Sequence, residues 1–121
     1  MTNDETKRER SCYLGVQDLY NLNLNCIPIA KLYGFGVYLV GSVLTRLDYR
    51  DVDVRCILED DEFDRMFGND SMTEKRVRFH SVTISEWLRS RTSLPIDFQF
   101  QRQTEANRDF QGTRSALGIP L

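Results

Sequence analysis

Three stretches of the chain alternate or crowd apolar residues as strands do, and the segments around them repeat apolar residues every three or four positions as helices do. In "CYLGVQDLYNLNLNCIPIAKLYGF", Tyr13, Val16, Leu19 or Tyr20, and then Ile29, Leu32 and Tyr33 predict helical structure interrupted near Pro28. "GVYLVG" is short and valine-rich, which predicts a strand from Phe35 to Val40 stopped by Gly41. "DVDVRCIL" sets Val52, Val54, Cys56 and Leu58 on one face and Asp51, Asp53 and Arg55 on the other, a second strand. "EDDEFDRMFG" places Glu59, Asp60, Asp61 and Glu62 where a helix dipole favours acids, then Phe63, Met66 and Phe67 at helical spacing, then Gly68 as a C-cap. Residues 73–91 predict a helix bent or restarted near Thr83, because Thr83 and Glu86 match a capping box. "LPIDFQFQ" alternates again, with Ile96, Phe98 and Phe100 opposite Asp97, Gln99 and Gln101, a third strand.

These elements predict an α/β (α+β) fold with a small mixed or antiparallel sheet, helices on one face and the acids on the other. Three segments follow. Residues 1–11 read as a disordered tail carrying both charge signs, 12–103 as the domain, and 104–121 as a loosely packed extension. The length of 121 residues suits one domain with one core.

Composition narrows the classes of function. A net charge of −2 argues against a protein whose main task is to coat nucleic acid. Cys12, Cys26 and Cys56 are odd in number and lack CxxC spacing, so reduced, buried thiols in a cytoplasmic protein are expected; with a single histidine, zinc is not. "MTNDETKRER" has no apolar core of a signal peptide, and no stretch approaches the roughly 18 apolar residues of a membrane span. His80, Trp87 and the Phe98/Phe100 pair read as structural residues, while Arg89, Arg91 and Arg102 flank the third strand as either a basic rim or a solvated surface.

The acids in the apolar strands carry the chemistry. Asp51 and Asp53, two apart on one strand face, have Cβ atoms about 6 to 7 Å apart and aim at one volume. A cation would relieve their repulsion, and carboxylate oxygens suit Mg²⁺. Asp97 completes a three-carboxylate cluster if its strand is a neighbour, and three acids can hold two metals roughly 3.5 to 4 Å apart, a spacing suited to phosphoryl displacement. Gly41 and Ser42 offer a backbone that can approach a phosphate. Solvent-facing acids on an edge strand are the plain alternative.

A strand, Gly41-Ser42, eight intervening residues and a strand carrying Asp51-Val52-Asp53-Val54 resemble the signature of the DNA polymerase β-like nucleotidyltransferase superfamily, and Asp97 matches its third acid. The resemblance covers residues 35–101 and, in length, is to the minimal nucleotidyltransferases. It implies that Gly41 and Ser42 hold the triphosphate of an NTP such as ATP, that Asp51, Asp53 and Asp97 ligate two Mg²⁺ ions, and that Asp97 helps activate the acceptor hydroxyl. Arg46 or Arg50 is the candidate for the triphosphate. A nucleoside monophosphate would pass to a nucleic acid, protein or small-molecule acceptor. "GSVLTRLDYRDVD" departs from the pattern in lacking a small or basic residue soon after Gly-Ser and a Ser or Thr just before the acids. The second expectation is an inactive, antitoxin-type binding module acting with a partner protein or as a homodimer.

Overall fold

The computed structural model describes residues 12–34 and 36–120. The expected tail of residues 1–11 lies outside them, as do Phe35, the expected first residue of the first strand, and Leu121. In chain order the described residues form α1 (Val16–Tyr33), β1 (Val37–Val40), a 3-10 turn (Gly41–Leu44), β2 (Val52–Leu58), α2 (Asp60–Phe67), α3 (Thr73–Thr92), β3 (Ile96–Arg102), α4 (Gln103–Asp109) and the short β4 (Ser115–Ala116). One mixed sheet holds the strands in the order β3-β2-β1-β4. β1 runs antiparallel to β2 and β4, while β2 runs parallel to β3, a pairing that requires the long crossover through α2 and α3. The fold is α+β.

Register decides which side chains meet. Val52 pairs with Ile96, Val54 with Phe98 and Cys56 with Phe100, and across the other ladder Val37 pairs with Cys56 and Leu39 with Val54. All of these are buried, and they join Leu22, Cys26 and Ile29 of α1, Phe63 and Phe67 of α2 and Leu88 of α3 in one apolar cluster. At about 25 cal/mol per Å² of apolar area removed from water, this face is the main source of stability. Burial pushes the thiols of Cys26 and Cys56 up to about 12, so they stay protonated, and the three cysteines are free.

Four expectations need correcting. Helix α1 runs through Pro28 without a break. Proline removes one intrahelical donor, and the carbonyl left over is that of Leu24, on a part-exposed position where water can serve it. Helix α3 is a single element from Thr73 to Thr92; Thr83 does not cap a restart, since its hydroxyl donates to the Phe79 carbonyl one turn back at 2.7 Å. Trp87 is 38% exposed, with the Arg91 guanidinium 5.3 Å above its ring, and is not core. The C-terminal stretch is not loosely packed: Ala106 and Leu117 are buried and β4 pairs with β1. Gly118, at φ +72°, lies so close to Cys26 of α1 that a Cβ would meet its carbonyl oxygen at 2.7 Å.

Helix α3 also closes the free edge of the sheet. Ser85 Oγ accepts from the Phe98 N–H at 2.8 Å and donates to the Phe98 carbonyl at 3.1 Å, Ser81 Oγ accepts from the Phe100 N–H, and Arg89 Nε donates to the Ile96 carbonyl. These four backbone groups of the edge strand are thus satisfied by side chains, where a bare edge would leave them to solvent or to another chain. Among the described residues no helix is long and apolar enough to cross a membrane.

Candidate active site

The second face of the sheet carries the charge. Asp53 and Asp97 are direct partners across the parallel β2–β3 ladder, so both project from the face opposite Val52, Val54, Ile96 and Phe98. Arg55, one pleat further along β2, is buried at 6% exposure and turns back towards them. Its Nη1 donates to the main-chain carbonyls of Val54 at 3.0 Å and Asp97 at 2.7 Å, and its Nη2 lies 3.4 Å from Asp97 Oδ2 and 3.8 Å from Asp53 Oδ1. The Nε atom is buried with no hydrogen-bond partner among the described residues. The acid pair therefore has a protein cation beside it. Burial nevertheless raises the Asp53 carboxyl above the usual range; Arg55 opposes the rise, while the charges of Asp97 and Asp51 and a hydrogen bond shared with Asp97 add to it.

Gly41 belongs to the same place. Val40 pairs with Asp53 across β1–β2, which brings the turn after β1 against the acid. At φ +82°, Gly41 occupies a conformation that glycine adopts freely, and a Cβ there would fall 2.3 Å from Asp53 Oδ2. Ser42 follows in the 3-10 turn, its carbonyl accepting from the Thr45 and Arg46 N–H groups at 3.0 and 2.8 Å. The turn after β1 and the acid pair form one site.

Asp51 and Arg46 are placed differently. Asp51 is exposed and lies just before β2, outside the ladder, from where its charge still reaches Asp53. Arg46 makes a two-point pair with Asp48, both bonds 2.9 Å, which holds the Asp48 carboxyl below its usual range. That guanidinium is engaged locally. Arg91 donates to Asn25 Oδ1 and Arg102 to Asp64, so with Arg89 on the edge of β3 the expected basic rim is largely used to hold the fold. His80 is exposed, its Nδ1 2.8 Å from the Arg76 carbonyl.

Metal chemistry can be tested against these donors. No group of three or more His, Cys, Asp or Glu among the described residues is arranged to hold a metal ion, so the expected convergence of Asp51, Asp53 and Asp97 is not present. Two carboxylates are. Mg²⁺ commonly binds through one or two carboxylates and takes its other ligands from water and substrate phosphate, so Asp53 and Asp97 fit one such ion better than a protein-only cage for two.

Of the further residues at this face, one is marked by the sequence pattern and the others are not. Arg55 sits two positions after Asp53 on the acid face, so the alternation itself marks it as the neighbour of the pair. Phe110, from the segment after α4, lies over the Arg55 guanidinium at 5.5 Å, and Arg114 lies 5.9 Å from the Tyr38 ring; nothing in local periodicity shows that this segment crosses the charged face. Asp97 also lines a groove of about 1200 Å³ bordered by α3, β3 and α4, with Lys75, Arg78 and Arg89 on its walls. Comparison with protein-family models, with curated proteins and with solved structures finds no match.

Proposed function

We propose that the chain is a Mg²⁺-dependent nucleotidyltransferase that moves a nucleoside monophosphate from an NTP to an acceptor hydroxyl. The supporting observation is the meeting of Asp53, Asp97 and the Gly41 turn at one point on the sheet. In this reading Asp53 and Asp97 hold the ion, with Asp51 nearby adding negative charge, and the backbone at Gly41 and Ser42 approaches the phosphates. When bound, Mg²⁺ neutralises phosphate charge and polarises the transferred phosphoryl group. Asp97, the more exposed of the pair at 38% against 21% for the side chain of Asp53, is the carboxylate open to an acceptor proton from the neighbouring groove.

A second reading, a binding module without turnover, is favoured by a different observation. Val16, Tyr20 and Leu24 repeat every four residues on α1 and are 87, 50 and 38% exposed, an apolar stripe with the spacing of a helical docking face for a partner protein or second copy. One experiment separates the two. The protein is incubated with each labelled NTP, Mg²⁺ and a cell extract, and labelled product is sought alongside partner capture in wild type and Asp53→Asn. The enzyme reading expects product from wild type and almost none from the variant. Absence of transfer with every nucleotide, with capture intact in Asp53→Asn, rejects the enzyme and leaves the module.

A further inference from the structure

We infer that Arg55 is an internal counter-cation of the acid pair and the receptor for a phosphate that arrives with the metal, so that the site takes a divalent cation and a polyphosphate jointly and neither well alone. The inference deepens the nucleotide-site reading above and rests on it.

The argument begins with how the guanidinium is held. Nη1 spends its donors on two main-chain carbonyls, those of Val54 and Asp97, which anchor the group in the sheet whatever the carboxylates do. The opposite edge, Nε and Nη2, is poorly served: Nε has no acceptor among the described residues, and Nη2 stands 3.4 and 3.8 Å from the two acids, longer than the ~2.8 Å of a close charge-assisted bond. That edge is the two-donor fork that fits a phosphate or carboxylate in bidentate fashion. A buried donor without an acceptor is costly, so the free protein keeps the fork near Asp53 and Asp97 as the best acceptors at hand.

Charge then makes the two ligands depend on each other. Asp53, Asp97 and exposed Asp51 outnumber the single guanidinium, so a phosphate alone meets net negative charge. A divalent cation alone must take the carboxylate oxygens from Nη2 and leave a buried guanidinium without its acid partners, which is unfavourable. When both arrive, the ion takes the acids and the phosphate takes the fork. Phe110, whose ring lies over the guanidinium at 5.5 Å, covers one face of the group, and in this inference its removal widens the approach for a phosphate.

The test is titration calorimetry on the full chain with Mn²⁺ and inorganic pyrophosphate, allowing for their complex in solution. Wild type is expected to bind Mn²⁺ roughly tenfold or more tightly when pyrophosphate is present, with the reciprocal gain for pyrophosphate. In Arg55→Gln, Mn²⁺ alone should bind more tightly than to wild type, and the coupling should fall to about threefold or less. Phe110→Ala should strengthen pyrophosphate binding. Additive binding in wild type, or full coupling in a folded Arg55→Gln protein, overturns the inference. If Arg55→Gln does not fold, wild type and Phe110→Ala decide, and unchanged pyrophosphate affinity in the latter also overturns it. Nucleotidyl transfer without coupling would leave the enzyme reading standing and remove this one; coupling without transfer would do the reverse.

Discussion

The two faces of the sheet are built from the same strands yet are held together by different physics. On one, Val52, Val54, Ile96 and Phe98 interlock with α1 and α3 and exclude water, an interaction without direction that adds up over area. On the other, Asp53, Asp97 and Arg55 interact as a few charged groups whose energy depends on distance and on each partner being present. The first face tolerates exchange of shape for shape. On the second, removal of the cation leaves the neighbouring acids uncompensated.

The comparison breaks most sharply at Phe98. Phe98→Ala removes a fully buried ring from the apolar face and should cost about 3–5 kcal/mol, read as a large drop in denaturant midpoint. A loss under about 1 kcal/mol would mean that this face is not the source of stability.

Arg55→Gln probes the other face. Removing one member of a buried charge pair costs about 3–5 kcal/mol where both groups are enclosed. Here the Asp97 side chain is 38% exposed and water screens it, so about 2 kcal/mol is expected in metal-free buffer. Divalent cation should recover part of the loss, which no substitution on the apolar face allows. A variant as stable as wild type in EDTA would show that the charged face is not held by pairing.

Gly41→Ala joins steric and electrostatic effects. The positive φ alone costs an L-residue about 1–2 kcal/mol, and the new methyl would push the Asp53 carboxylate from its place. Thermal stability should fall by about that amount while Mn²⁺ affinity falls as well. A stable variant with unchanged metal binding would separate the turn from the acid.

The smallest effect is in the pH dependence. The Asp53 carboxyl titrates above its usual value in the folded protein, so the folded state binds more protons than the unfolded one between the ordinary aspartate range and the raised value. Stability from this group is therefore full below that window and is lost as pH rises through it. Asp53→Asn removes the dependence: relative to wild type, the variant should gain stability from acid towards neutral pH. A gain in the opposite direction, measured by urea melts across the range, would place the acid in a stabilising pair instead.

Much of the apolar face was legible because period-2 alternation is a local property: "DVDVRCIL" and "LPIDFQFQ" each state which residues point inwards, and Ile96, Phe98 and Phe100 do. The same alternation put Asp53 and Asp97 on one face. Their adjacency needed the parallel register, and the position of Asp51 depended on whether the pleat began before Val52, which the preceding turn decides. Pro28 misled because a missing backbone donor is a local cost that tertiary packing of Leu22, Cys26 and Ile29 outweighs. Ser81 and Ser85 bond to backbone groups of β3 that lie 19 and 13 residues away in sequence, beyond any local pattern. β4 is too short to show a period at all.

The serine-lined face of α3 ties the folding of two elements together. If the helix melts while the sheet persists, "IDFQF" is left as an aromatic-rich strand with unpaired amides, the kind of segment that templates fibrils. Selection for solubility then acts on the helix, whose adherence to β3 keeps the amides of Phe98 and Phe100 from recruiting a neighbouring molecule. Serine suits that duty because its short hydroxyl both donates and accepts without holding the helix away from the strand. A chain whose sheet edge is guarded by its own crossover helix is protected against self-association at that edge only while the helix stays folded.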